Sequence, residues 1–510
     1  MSKVKPRFGA LVRLAVLGAL AVGSVAAAIE PANVTFDFVR AKAEADAAQP
    51  YAKPENDLPE SLAALTYDQY RDIRFKPSEA LWREEGLPFQ LQFFHRGGLF
   101  RDKVTIREFS ATHEQVIPFM QDFFSYGQVK NLGWLRSSLG YAGFRVHAPL
   151  NRPDYYDEVI AFLGTSYFRA IGAQQIYGLS SRGVALNCGV PGEAEEFPRF
   201  TDFWVGKPAE GDTSLIIYAL LKGPSVTGAY EFTVRPGKAT VVEVRTELIF
   251  RRAVTLPGVA PLTSMFWYGE NSARPGGQLR QEVHDSDGLI IEDAGGRHLW
   301  QPLQNPSALE VDSTPVQHLT RFGLMQRDRR IADYEDLEAH YEQRPSAWIE
   351  PEGDWGEGSI RLVQLPTSTE YGDNIVAFWV PAASAVVGRV WQFSYRIVWS
   401  LGEPAVEGRA RVAATREGDL PGVAHGRLFW IDFTDESFAS RAASALEAEI
   451  VISDGGRVRH KAVSVYPQIG GWRVALEVEA TQPGQIIHFR CQLHADGKPI
   501  SETWVYAWKS

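Results

Sequence analysis

The chain has 510 residues, is 45% hydrophobic and 12% aromatic, and carries a formal charge of −10 at neutral pH. That length buries more than one core, and the acidic balance lacks the basic stripe that phosphate binding requires, so no nucleic-acid partner is expected. Its two cysteines, Cys188 and Cys491, are too few for a disulfide framework, and no C-x-x-C, H-E-x-x-H or phosphate-loop glycine motif is present, which excludes those zinc and nucleotide signatures.

Lys3, Lys5, Arg7 and Arg13 precede or open an apolar run from Leu14 to Ala28 that ends in three alanines. Residues 1–28 therefore read as an export signal, too short in its apolar core to span a bilayer comfortably and not followed by a stop-transfer pattern. Its removal takes the formal charge to about −14, since four cations leave with it. In an exported chain the two cysteines are read as small buried hydrophobes, with their pairing left open.

Helical periodicity is sparse: Pro59 to Leu65 with Tyr67 to Ile73, His113 to Phe123, and Asp333 to Tyr341. Period-two alternation dominates instead, at Phe89 to Phe94, Asp212 to Leu221, Ala229 to Val234 and most cleanly at Val241 to Phe250. There, charged and apolar side chains fall on opposite faces, as a half-solvated antiparallel strand requires. With 45 Gly, 30 Pro and 14 Trp, the composition fits an all-β, turn-rich chain.

A boundary is expected at residues 384–388, dividing a first domain at 29–383 from a second at 389–510. Beyond it, strands recur at Val390 to Ser400, Gly408 to Ala414, Gly426 to Phe433, Ala448 to Ser453, Lys461 to Tyr466, Gly471 to Glu479, Ile486 to Ala495 and Glu502 to Trp508. Turn signals at Asp454-Gly455-Gly456 and Ala495-Asp496-Gly497 are expected to close hairpins. Roughly 120 residues of this pattern suit an immunoglobulin-like sandwich.

Among polar motifs, P-T-S-T-E-Y-G-D-N-I-V-A-F-W-V-P at Pro366 to Pro381 sets Asp373 at the mouth of an apolar strand, with Tyr371 and Trp379 close by. Acid catalysis and a plain Asx turn are both open to such a residue. His284-Asp285-Ser286-Asp287-Gly288 reads equally as a polar turn. Its Asp-x-Asp-Gly falls short of a calcium loop, so no metal is assigned.

Several blocks resemble the periplasmic glucan biosynthesis proteins of the OpgG/OpgD (MdoG/MdoD) family. They include Y-A-G-F-R-V-H-A-P-L-N from Tyr141, F-L-G-T-S-Y-F-R-A from Phe162, E-E-F-P-R-F-T-D-F-W from Glu195, M-F-W-Y-G-E-N from Met265, H-D-S-D-G-L from His284, F-G-L-M-Q-R-D-R from Phe322 and D-N-I-V-A-F-W from Asp373. The resemblance implies a periplasmic two-domain protein, with a large N-terminal galactose mutarotase-like β-sandwich and a C-terminal immunoglobulin-like sandwich. It also implies an inverting endo-β-1,2-glucanase without cofactor, in which Asp373 is the general acid, Asp285 a base acting through a water relay, and Tyr341 a supporting residue of the same cleft. The expected partners are β-1,2-linked glucan and the membrane machinery of glucan synthesis. The alternative is a non-hydrolytic protein that accepts nascent glucan chains and transfers them to membrane partners.

Trp267, Tyr268, Trp348 and Trp355 sit in polar surroundings and are taken as sugar platforms. Arg327 is taken as a ligand of sugar hydroxyls, with an ion-pair cluster of Arg327, Arg329 and Arg330 with Asp328 and Asp333 as the competing reading. His147 reads as a structural histidine, and His95-Arg96 has no assigned role. Oligomeric state is not legible.

Overall fold

A computed structural model describes residues 34–55, 57–130, 132–404, 408–438 and 446–510. The expected export signal at 1–28 lies outside the described residues. Among those described, no helix is long and apolar enough to cross a membrane.

The alternating segments become strands, and their apolar faces meet. Thr240–Phe250 alternates buried and half-exposed positions over its first half and pairs antiparallel with Val226–Arg235 on one side and Val390–Ser400 on the other. These strands belong to a 15-stranded sheet that packs on a ten-stranded one. The core between them is aromatic: Phe144 and Phe162 of the smaller sheet touch Phe203 and Phe232 of the larger, with ring centroids 5.0 to 5.3 Å apart. The molecule is thus all-β and built on packed sheets.

Of the helical expectations, Pro59 to Leu65 and Tyr67 to Ile73 hold as the short helices Glu60–Ala63 and Tyr67–Asp72, the latter capped by Thr66, and the other two do not. Pro118 interrupts His113 to Phe123 and cannot donate into a helix, so this stretch forms a short strand, Glu114–Val116, and a 3-10 turn, Gln121–Phe123. Asp333 to Tyr341 is broken by Glu335 at a left-handed φ of 53°, which ends the single turn Ile331–Tyr334. Conversely, helix Phe36–Ala47 had no expectation attached; Thr35 caps it, and Phe36, Val39 and Ala43 pack on Trp204, Tyr218 and Ala229 at the back of the larger sheet.

The expected boundary at 384–388 does not end the first unit. Ala385 is buried and bridges to Val254, and Val390–Ser400 makes ten cross-strand pairs with Thr240–Phe250 before the chain leaves this sheet. Ladder hydrogen bonds at the centre of a sheet assign the strand to the first unit. Beyond it, a four-stranded sheet of Arg411–Asp419, Gly426–Thr434, Gly471–Ala480 and Gly456–Tyr466 shares a core with Leu446–Ile452, Ile486–Ala495 and Thr503–Lys509 through Phe429, Trp472, Cys491 and Trp504. Cys188 and Cys491 are both buried and free. Asp496 and Gly497 take φ of 50° and 72° and close the expected hairpin onto Lys498–Pro499. The turn at Asp454 to Gly456 instead carries the chain from one sheet to the other, because Leu446–Ile452 pairs with Ile486–Ala495 and Gly456–Tyr466 with Gly471–Ala480.

The two units are joined by backbone. Thr503–Lys509 runs parallel to His298–Pro302 through Leu299↔Thr503 and Trp300↔Trp504, which makes the large sheet continuous across the junction. Trp300, Met325 and Trp348 of the first unit enter the second unit's core.

Candidate active site

Four adjacent strands of the ten-stranded sheet, Tyr167–Ala170, Ser180–Arg182, Pro257–Ser264 and Ile375–Pro381, form the floor of the site. Phe168, Leu262 and Ala377 point into the core, so period-two alternation turns Tyr167, Arg169, Arg182 and Thr263 to the opposite face. Register places them side by side: Tyr167 lies opposite Arg182, and Thr263 is flanked by Ser180 and Val376. Arg169 stacks 4.3 Å from the ring centre of Tyr177, and Arg182 pairs with Glu195 at 2.7 Å.

Asp373 enters this face from the loop before Ile375–Pro381. The loop base is clamped by buried Asn374, whose side chain accepts from the Phe266 amide at 2.8 Å and donates to the carbonyls of Phe266 and Leu365 at 3.0 and 2.9 Å. Two close ring-to-glycine contacts seat the strand itself. A β-carbon on Gly258 would fall 2.2 Å from the Phe378 ring, and one on Gly358 would fall 2.4 Å from Trp379. Gly258→Ala is accordingly expected to cost about 1 to 3 kcal/mol by overpacking, measured as a lower denaturation midpoint at unchanged slope.

Asp373 is exposed to solvent as a residue, yet neighbouring protein atoms crowd its carboxyl. Their desolvation, and secondarily the charge of Asp285, raise its pKa to about 6, against the pull of a Thr263 hydrogen bond and the Arg169 and Arg182 guanidiniums. This places Asp285 in the same electrostatic neighbourhood. Asp285 itself is buried. Its amide donates to the Met265 carbonyl at 2.8 Å, and the next residue, Ser286, meets Ser264 hydroxyl to hydroxyl at 2.8 Å. Its carboxylate is paired with Arg344; burial raises its pKa and Arg344 opposes the rise.

Arg344 also lies 4.2 Å over the Tyr341 ring, which ties the base candidate to a second network. The Tyr341 hydroxyl donates to Glu370 Oε2 at 2.5 Å, and Arg280 bridges Glu370 at 2.5 Å and Asp336 at 2.9 Å. Burial opposes ionisation of Glu370, but the bonds from Arg280 and Tyr341 outweigh it and hold its pKa below the usual range. Around this knot stand Leu279, Leu337 and Tyr371, respectively 89%, 78% and 89% exposed. Each is the chain neighbour of a knotted residue, so the loops that carry these groups present exposed apolar side chains at their rim.

The structure therefore brings Asp373, Asp285 and Tyr341 together. It adds Arg344, Glu370, Arg280 and Arg169, which sequence reasoning missed. Glu370 and Arg344 lay within the motifs that carry Asp373 and Tyr341, whereas Arg280 had no local signal. Trp267 is half-buried beside the site, 5.2 Å from Tyr268 and packed near Tyr341. Tyr268 is 1% exposed and offers no face to a sugar.

The other site expectations are corrected by burial and partners. Trp348 is a core residue at the junction of the two units, its indole donating to Glu350 at 3.1 Å. Trp355 packs against Trp379, Phe393 and Tyr395 at 5.1 to 6.1 Å. Arg327 pairs with Glu403 at 3.1 Å and Glu502 at 2.8 Å and lies 3.5 Å over the Trp300 ring, so its donors serve the junction. Arg330 pairs with Asp333. His147 is buried against the Tyr156 carbonyl, while His95 meets its neighbour's carbonyl and Tyr126; neither is near the carboxylates by any of these contacts.

Packed β-sheets joined through one continuous sheet, with the Asp373 carboxyl and the guanidinium-paired Asp285 carboxylate in one electrostatic neighbourhood, define an all-β protein with a two-carboxylate site. The family model described as "Periplasmic glucan biosynthesis protein, MdoG" matches residues 34–508, and the chain belongs to that family. It is 42% identical over 489 residues to Glucans biosynthesis protein G of Rhodopseudomonas palustris, covering 95% of each chain. It is also 41% identical to the proteins of that name from Ralstonia nicotianae, over 96% of this chain and 99% of the relative, and from Vibrio cholerae, over 91% and 84%.

Proposed function

We propose that this protein works in the periplasm in the biosynthesis of osmoregulated glucans, acting on their β-1,2-linked backbone as an inverting endo-glucanase. The observation that carries the reading is that Asp373 and Asp285 share one electrostatic neighbourhood beside the face bearing Thr263, Arg169 and Arg182, with crowding that favours a protonated Asp373. Protonated Asp373 gives its proton to the glycosidic oxygen as the bond from the anomeric carbon breaks. A water attacks that carbon from the opposite side, and its proton passes through a relay water to Asp285. The two carboxyl groups thus take the acid and base roles of an inverting mechanism. Relatives named for glucan biosynthesis support the substrate class.

One observation favours the second reading, a glucan carrier that hands chains to membrane partners. Asp285 is buried and already engaged by Arg344, so a relay water must compete with a guanidinium for its carboxylate oxygens. Incubation with linear β-1,2-glucan, beside β-1,3- and β-1,4-glucans, decides between them. Short oligosaccharides from the β-1,2 polymer alone support hydrolysis; binding of that polymer without products supports the carrier; neither result with any of the polymers rejects both.

The rim makes a separate prediction. Tyr371 offers a free aromatic face two residues from Asp373, where a pyranose ring stacks. Tyr371→Ala is expected to raise KM roughly three- to ten-fold at nearly constant kcat, the value of one aromatic contact, whereas Tyr371→Trp retains the wild-type KM.

A further inference from the structure

One residue from Asp285, the His284 side chain lines a different cavity. This space of about 20 Å³ lies at the junction of the two units and is walled by Glu270, Glu282, His284, Asp287 and Asp328 together with the segment Ala413 to Thr415. A volume of that size holds one water molecule or one ion. Side-chain ligand atoms of Glu282, His284 and Asp328 all lie within 4.8 Å of one another, and His284 Nε2 is 2.8 Å from Glu282 Oε2. Neighbouring ligands of an ion held at roughly 2.1 Å lie roughly 3 Å apart and opposite ones roughly 4.2 Å apart. With ligand atoms no more than 4.8 Å apart, the three groups reach one such ion after a small inward shift.

Two further observations point to a missing ligand. Asp287 Oδ1, in the wall of the cavity, is buried without a hydrogen-bond partner, and the His284 imidazole beside it is 1% exposed. Buried polar atoms are nearly always satisfied, so such an orphan calls for an occupant. The charge is also lopsided. Four carboxylates face the cavity, and of the nearby guanidiniums Arg416 pairs with Glu270 at 2.9 Å, Arg327 is taken up by Glu403 and Glu502, and Arg329, whose charge also offsets Asp287 and Asp328, gives its donors to the Glu342 and Arg344 carbonyls and Ser346.

We propose that this cavity binds one divalent transition cation, zinc or manganese, through His284, Glu282 and Asp328. One imidazole with two carboxylates suits these ions better than calcium, which prefers an all-oxygen shell. The ion ties the short strand Val283–His284, which leads directly into Asp285, to the segment carrying Asp328. It does so beside Glu270, whose carboxylate reaches the Thr415 amide and Arg416 of the C-terminal sandwich. Its role is to brace the junction; the cleft chemistry does not pass through it. A metal is invisible to linear reading here because the ligands are spaced 282, 284 and 328, without a compact motif.

The test uses the full chain, stripped with a chelator, dialysed, and titrated separately with zinc, manganese and calcium. Elemental analysis and thermal melting are the readouts. The expected result is one equivalent of zinc or manganese per chain and a melting temperature that rises with metal and saturates. His284→Gln and Asp328→Asn are each expected to lower affinity by at least roughly ten-fold and to remove the rise. If His284→Gln does not fold, Asp328→Asn carries the test, since that residue is only partly buried. Absence of stoichiometric binding and of any melting shift overturns the proposal and leaves a His284 imidazolium as the cation between the carboxylates. Binding that persists unchanged in a folded variant, or binding of calcium alone, overturns it as well.

Discussion

Asp373→Asn is expected to lower the rate of β-1,2-glucan hydrolysis by roughly 10² to 10⁴-fold, the usual weight of a positioned general acid, while leaving the affinity for the polymer nearly unchanged. An amide keeps the size of the carboxyl and its contact with Thr263 but has no acidic proton to give. The pH dependence carries the same signature. Because Asp373 must be protonated to act and its pKa is raised to about 6, the wild-type rate falls as pH rises through that value. Stability moves with the same group. A carboxyl whose folded pKa exceeds its unfolded one binds its proton more tightly when folded, so it destabilises the fold increasingly as pH climbs from about 4 to 6, and fully above that. Asp373→Asn is therefore expected to melt above the wild type at pH 7.5 and level with it at pH 3.5. A variant that keeps full hydrolytic activity would remove Asp373 from the mechanism.

Arg327→Ala is expected to destabilise the protein by about 3 to 5 kcal/mol, the cost of leaving buried carboxylates without their partner. Glu403 and Glu502 share this guanidinium, which also donates to the Val412 carbonyl at 2.7 Å; Glu403 keeps Arg411 at 3.3 Å and Glu502 keeps the Val412 amide, which places the loss at the lower end of that range. These partners lie in the C-terminal half, so the loss is predicted to loosen the junction first. Chemical denaturation checks it: either a lower midpoint, or two transitions where the wild type has one. A change in glucan affinity at unchanged stability would instead restore Arg327 to the cleft, against its burial under Trp300.

The pattern of the chain reaches different depths at different residues. Ile486 to Ala495 is read from alternation with the same bounds that its strand has, because a half-buried strand writes its two faces directly into a period of two. Asp373, Asp285 and Tyr341 are legible only as a family resemblance. Their types are common, and the two aspartates are 88 positions apart; the pairing of Val283–His284 with Phe266–Tyr268 is what brings Asp285 back beside the strand that ends at Ser264.

Trp348, Trp355 and Arg327 show the limit from the other side. Each lies in a polar stretch, which suggests exposure, and each is shielded by elements far away in sequence: the C-terminal core, Phe393 with Tyr395, and Glu502. Local composition records a residue's chain neighbours, whereas burial is set by what packs across it.

By itself, then, the amino-acid order determined an all-β chain, the place of a minority of its strands, chiefly the C-terminal ones, and the types of residue available for acid and base work. Tertiary structure alone decided that Val390–Ser400 belongs to the first unit, that the turn at Asp454 to Gly456 crosses between sheets, and that Arg344, Glu370 and Arg280 surround the carboxylates. The physical reason is that periodicity specifies which face of a strand is apolar, but neither the strand it pairs with nor the charge that meets it from a distant loop. Those depend on long-range pairing, which no local window contains.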